Sequence, residues 1–270
     1  MSAFEPPVFD TPVFDALRDA LRAERPAALA TVTAGPHLGA KLLVRPGEES
    51  LGTLGDPDLD RVVARDTYGE LEAGLTSTRH YGAHGEARED TVGVFIESFA
   101  PPPRMIIFGA VDFTRALANV AKVLGYRVVV CDARAVFATR QRFPMADDIV
   151  NEWPDRYLEK IGDELGPRDA VCVLTHDTKF DVPAIIGSLA TKVGYLGAMG
   201  SRRTHAKRVE RLRDMGVSDE GLARIMAPIG LDIGARTPEE TAISICAEII
   251  AVRTGRQAQS LRDTAGPIHA

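Results

Sequence analysis

From residue 105 onward, short and wholly apolar runs alternate with stretches of helical period, and few folds accommodate that alternation. Met105-Ile106-Ile107-Phe108 reads as a buried strand, followed at once by Gly109. Phe113, Leu117, Val120, Ala121 and Leu124 then mark one face of a helix that Gly125 stops. Arg127 to Cys131 gives a second strand, and Leu158, Ile161 and Leu165 a helix ended by Gly166-Pro167. Ala170 to Leu174 is a third strand, with Val182, Ile185, Ile186 and Leu189 on a helix behind it and Asp181 expected as its cap. Val193 to Leu196 follows as a fourth strand, with a basic helix from about Ser201. In the last helix, Thr237 caps, Pro238 takes the first position and Glu240 the third, ahead of an apolar stripe from Ala242 to Ile250. Strands that are apolar throughout need helices on both faces, so an α/β, Rossmann-like parallel sheet is expected.

Ahead of this region stands Ala100-Pro101-Pro102-Pro103, a run that cannot donate backbone hydrogen bonds and favours extended geometry. It reads as a stiff connector, giving a first domain over 1–100, a Rossmann domain over 101–263 and a loose tail over 264–270. The first domain shows a helical stripe at Val13, Leu17, Ala20 and Leu21, then strands over 27–33 and 41–44. A helix around Leu59, Val62 and Val63 and a strand from Val92 to Ile96 complete it, so this smaller domain is expected to be α+β.

Composition narrows the function classes. Apolar residues make up 45% and charged residues 26%, which excludes a wholly disordered or collagen-like chain. Lys and Arg number 32 against 38 Asp and Glu, a net charge of −6, which disfavours nucleic acid as a partner. Three cysteines without a CxxC pair argue for a reducing compartment. Neither a signal peptide nor a membrane span is visible, so a cytoplasmic location is expected.

Ligands of such sheets bind outside the carboxyl ends of the strands, and four turns lie there. In the first, Gly109-Ala110-Val111-Asp112, a dinucleotide fingerprint would want glycine where Val111 stands, and Asp112 adds negative charge beside the phosphate position. Asp132, ending the second strand, is placed to hold a ribose. The second turn, Thr175-His176-Asp177, offers a proton shuttle or metal ligand, or merely satisfies turn amides. The third, Gly197-Ala198-Met199-Gly200-Ser201-Arg202-Arg203, joins flexible backbone, a helix amino terminus and two cations, a combination suited to phosphate. Lys207, Arg208 and Arg211 continue the basic face, which alone reads more readily as a solvated surface and gains an anion reading from the glycine turn in front. The fourth, Pro228 to Arg236, holds Gly230, Asp232 and Gly234 and by position should face the same cleft. His80 and His84 lie beside glycines that disfavour a helix, which weakens zinc ligation. No GxSxG elbow or P-loop occurs, and the three cysteines read as core.

Several long segments resemble one family: PPPRMIIFGA (101–110), VVVCDAR (128–134), RFPMADDIV (142–150), VLTHDTKFD (173–181), YLGAMGSRRT (195–204) and APIGLDIGARTPEETAISICAEI (227–249). They are similar to the Rossmann domain of xanthine dehydrogenase accessory factors, the XdhC/CoxI family, from Arg104 to about Gly255. The resemblance implies a maturation chaperone that binds molybdenum cofactor (molybdopterin) transiently. It would assist sulfuration and deliver the cofactor to a molybdenum hydroxylase apo-enzyme of the xanthine or CO dehydrogenase type. A homodimer, with a cysteine desulfurase as a further partner, is implied too. Family members usually carry glycine then histidine where this chain has Val111 and Asp112, and a cysteine followed by Val-Glu in a glycine-rich segment. The corresponding stretch here, Leu51 to Asp60, has no cysteine, and none precedes Cys131. The competing readings are an NAD(P)-dependent oxidoreductase with a degenerate fingerprint and a non-catalytic partner-binding scaffold.

Overall fold

The computed structural model describes residues 11–175 and 177–265. The chain divides between Pro101 and Pro102 into two compact units.

The first unit holds α1 (Thr11–Arg22), β1 (Ala27–Ala34), β2 (Lys41–Val44), β3 (Leu51–Thr53), α2 (Pro57–Ala73), β4 (Ser77–Tyr81) and β5 (Val92–Phe99). Its five strands form a sheet in the order β3-β2-β1-β5-β4, paired antiparallel throughout. Alternation along the strands sorts the side chains between two cores. Ala30, Val32, Leu42 and Ile96 meet Leu59 and Val63 of α2, while Ala27, Leu29 and Leu43 meet Val13 and Ala20 of α1. Leu51 to Asp60, the segment where the resemblance leads one to expect a cysteine, holds β3 and its tight link into α2. Asp60 accepts from the Thr53 hydroxyl at 2.7 Å and the Leu54 amide at 2.6 Å, and Asp56 caps α2. Strands β3 and β4 are not expected from the sequence; β4 is a polar edge strand whose only buried residue is Tyr81.

The second unit runs β6 (Arg104–Phe108), α3 (Asp112–Val123), β7 (Arg127–Cys131), β8 (Asp148–Val150), α4 (Pro154–Ile161), β9 (Ala170–Val173), α5 (Thr178–Leu189), β10 (Tyr195–Ala198), α6 (Arg202–Asp214), α7 (Asp219–Ala223), β11 (Ile225–Met226) and α8 (Pro238–Thr254). Its six strands lie in the order β11-β10-β9-β6-β7-β8, all parallel. Met105, Ile107, Val128 and Cys172 face α3 and α8. Ile106, Phe108, Val129 and Val171 face α4, α5 and Leu212 of α6. Helices on both faces explain the apolar strands, and the architecture is the Rossmann-like sheet expected. Helix α8 carries the expected capping box, with the Thr237 hydroxyl accepting from the Glu240 amide at 3.1 Å. Helix α5 is the exception to its expected start. Asp177, not Asp181, caps it, accepting from the Lys179 amide at 3.0 Å, and Asp181 is buried within its first turn.

Candidate functional site

Strands β6, β7 and β8 progress in one direction across the sheet, and β9, β10 and β11 in the other. The switch therefore lies between the carboxyl ends of β6 and β9, where open α/β sheets form their ligand crevice. Gly109 and Thr175 occupy those two ends. Gly109 has φ of +110°, and a Cβ there would stand 2.8 Å from the Thr175 backbone nitrogen. Both the conformation and the close approach require glycine. Beside them opens a shallow cleft of about 490 Å³, lined by Val111, Arg134, Thr175, Asp177 and Thr178. The Thr175 hydroxyl accepts from the Asp177 amide at 3.1 Å, so this turn carries its own support. His176 lies outside the described residues.

Asp132 ends β7 as expected, but its carboxylate is already engaged. One oxygen accepts from the Ala110 amide at 2.9 Å and from Arg134 Nη2 at 2.8 Å, the other from the Arg134 amide and Nε, each at 2.9 Å. Burial works against its charge, yet these bonds win and hold its pKa below the ordinary 3.8. Arg134 is steadied in turn by the faces of Phe137 and Phe180, 4.9 and 5.4 Å from the guanidinium carbon, and Phe180 stacks on Trp153. Within the first turn, the Val111 amide donates to the Thr114 hydroxyl, which itself donates to the Gly109 carbonyl. A dinucleotide in the usual pose would need the Asp132 carboxylate for its ribose and the Ala110 and Val111 amides for its pyrophosphate. All of them have internal partners.

The third turn behaves as a helix entry. Gly200, at φ of +145°, leads to Ser201, whose hydroxyl caps α6 by accepting from the Thr204 amide at 3.1 Å. Arg202 and Arg203 project from the first turn of α6 and are exposed. On the side of α6 toward α5 lies a crevice of about 220 Å³ whose lining includes Thr178, Asp181, Arg203, Thr204, Lys207 and Arg211. Thr178 lines both this crevice and the larger cleft, so the two adjoin at the amino end of α5.

Other expected residues are explained by packing. Gly197 lies inside β10, and the room a side chain would need is filled by Ile229 and the Tyr195 hydroxyl. Gly230 stands against Ser244 of α8 and donates its amide to Glu248 at 2.9 Å. Asp232 is exposed, and neither it nor Gly234 lines the cleft or the crevice. The fourth turn is therefore tied to α8 and contributes nothing to the lining of either. Cys131, Cys172 and Cys246 are buried core residues, and burial pushes the thiols of Cys131 and Cys246 up to about 12. Among the described residues no cluster of three or more metal-ligating side chains occurs, and no helix is long and apolar enough to cross a membrane. Sequence reasoning misses Arg134 and Thr178 as cleft residues. It also gives no sign that Arg208 turns inward while Lys207 and Arg211 face the crevice.

Comparison with known proteins places these features in a family. Residues 105–249 match the model of the XdhC Rossmann domain, and residues 20–82 that of the XdhC and CoxI family. A Bacillus subtilis protein described as a probable xanthine dehydrogenase component is 35% identical over 61% of this chain and 47% of its own length. YqeB of Escherichia coli is 30% identical over 81% of this chain and 41% of its own. The Escherichia coli molybdenum cofactor insertion chaperone PaoD is 29% identical over 62% of this chain and 45% of its own. The chain thus spans less than half the length of these relatives. A solved structure described as a xanthine dehydrogenase from Bacillus halodurans superposes with a TM-score of 0.54, covering 92% of this chain and 98% of that one. Its 22% identity speaks for the fold alone. With a family model matching 145 consecutive residues of 270, the chain belongs to the XdhC/CoxI family.

Proposed function

We propose that this protein binds molybdenum cofactor and hands it to a molybdenum hydroxylase apo-enzyme, acting as a maturation factor and not as a turnover enzyme. The observation that carries the reading is the cleft at the Gly109–Thr175 switch, which adjoins the cationic amino end of α6. A flat, anionic pterin fits that combination. The cleft accepts the ring system beside Arg134, and the arginines of α6 attract the phosphate. Thr175, Asp177 and Arg203, which line the cleft or the crevice, would position the ligand. Gly200, Ser201 and Arg202 stand outside both linings at the start of α6, and Gly109 lets the two strand ends close beneath the ligand. His176 belongs to the same turn by sequence.

The similarity to PaoD, described as a molybdenum cofactor insertion chaperone, supports the same reading. Sulfuration would draw its sulfur from a separate donor such as a cysteine desulfurase. The three thiols of these 270 residues are buried and disfavour the thiolate that sulfur transfer needs. The engaged state of Asp132 and of the Ala110 and Val111 amides weighs against NAD(P) as the ligand.

The test is a titration of the purified protein with molybdopterin in its oxo and sulfurated forms. Saturable binding is expected, and Arg202→Ala with Arg203→Ala should weaken it while leaving the thermal transition in place. A folded double variant of unchanged affinity would remove the arginines from the site. Failure of both cofactor forms to bind the native protein would overturn the reading.

A further inference from the structure

Helix α6 carries its charges where a free-standing helix would not. Arg202 and Arg203 sit in its first turn, at the positive end of the helix dipole, with no acid among them. Arg203, Lys207 and Arg211 then recur at i, i+4 and i+8, so that like charges stack along one face. None of these three has an ion-pair partner among the described residues. All three line the crevice between α5 and α6.

A second, independent observation lies in the wall of the same crevice. Arg208 lines it and is only 4% exposed. Its Nη2 donates to Asp181 at 2.9 Å and to the Met199 carbonyl at 2.8 Å. Its Nη1 is equally removed from water yet has no hydrogen-bond partner among the described residues. A buried guanidinium nitrogen left in that state is costly unless an acceptor arrives. Arg208 offsets the charge of Asp181, so Arg203, Lys207 and Arg211 remain as surplus positive charge. Thr178 and Thr204 add hydroxyl groups to the lining.

We propose that this crevice is a seat for a dianionic phosphate monoester, held by Arg203, Lys207 and Arg211 with Arg208 at its wall. The volume of about 220 Å³ is ample for a phosphoryl group and smaller than the neighbouring cleft of about 490 Å³, so the bulk of a larger ligand would lie toward the cleft that Thr178 shares. The inference deepens the reading above by naming where the ligand's phosphate goes. It rests on that reading for the ligand's identity and not for the existence of the seat.

The experiment is a calorimetric titration of the full chain with inorganic phosphate at constant ionic strength, repeated with methyl phosphate and with dimethyl phosphate. Saturable binding of the first two at one site is expected, with the diester at least tenfold weaker. Lys207→Ala with Arg211→Ala, both exposed, should weaken phosphate binding at least tenfold. Lys192→Ala with Arg256→Ala removes the same charge from positions elsewhere on the unit and should leave affinity within twofold. Absence of saturable phosphate binding would overturn the proposal, as would an equal loss in both double variants, which would mean diffuse attraction. Phosphate binding without molybdopterin binding would keep the seat and discard the cofactor. The converse would discard the seat alone.

Discussion

Arg208 Nη2 and Asp181 Oδ2 lie 2.9 Å apart with both side chains almost entirely removed from water. The pair ties α6 to the first turn of α5, which fixes the two walls of the crevice. Arg208→Met removes the cation that offsets a buried carboxylate and should destabilise the second unit by about 3–5 kcal/mol. Asp181→Leu added to it should return part of that loss, because an apolar pair needs no compensating charge. Urea denaturation of the two variants checks the order.

Gly109→Ala is expected to cost about 2–4 kcal/mol. Alanine at positive φ carries a backbone penalty, and its Cβ would press on the Thr175 backbone, which cannot swing aside. The same variant should also weaken ligand binding, since it forces apart the strand ends under the cleft. A stability curve superimposable on that of the native protein would contradict the geometry.

Asp132→Asn removes charge from a carboxylate that accepts four hydrogen bonds, and about 2–3 kcal/mol should be lost near neutral pH. The folded-state pKa lies below the ordinary 3.8, so the ionised carboxylate contributes its stability in full above that value. The contribution fades as pH falls below 3.8 and through the folded-state value. The gap in stability between native and variant proteins should therefore stay constant from neutral pH to about 5 and close in stronger acid. Paired denaturation curves across that range measure it.

The three thiols should resist a disulfide reagent at pH 8 in the folded protein and react together on unfolding. All are buried, and the upward shifts at Cys131, Cys172 and Cys246 leave little thiolate. Rapid modification of one thiol in the native state would show an opening that the fold does not contain.

Much of the architecture is legible in the sequence because burial on both sides of a sheet leaves an unmistakable apolar run. Met105–Phe108 and Arg127–Cys131 show it, and both lie in the sheet as expected. Ser77–Tyr81 stays hidden because an edge strand with one buried residue carries no such run, and β8 and β11 are too short to show a period. Asp181 reads as a cap because it directly precedes the apolar stripe that starts at Val182. The true start comes one turn earlier, and Pro183 sits inside α5. The position of the candidate cleft follows from strand ends alone, and Gly109, Thr175 and Asp177 lie together beside it. The inward turn of Arg208 cannot be read from a run of bases, since it depends on how α6 is rotated against α5. Likewise Gly197 and Gly230 look like ligand glycines in sequence, but only the fold reveals Ile229 and Ser244 in the space above them.

The clamp between Asp132 and Arg134 bears on how readily a dinucleotide could use this strand end. An acid at the end of the second strand is what a nicotinamide dinucleotide seeks, and such dinucleotides abound in cells. To use it here, the ligand would have to break a two-pronged charged contact and uncover the Ala110 amide, in exchange for a pair of sugar hydroxyls. In a fold that commonly takes such cofactors, one arginine two residues downstream thereby raises the cost of the usual pose, and selectivity for the ligand proposed above would come from that cost as well as from its own contacts.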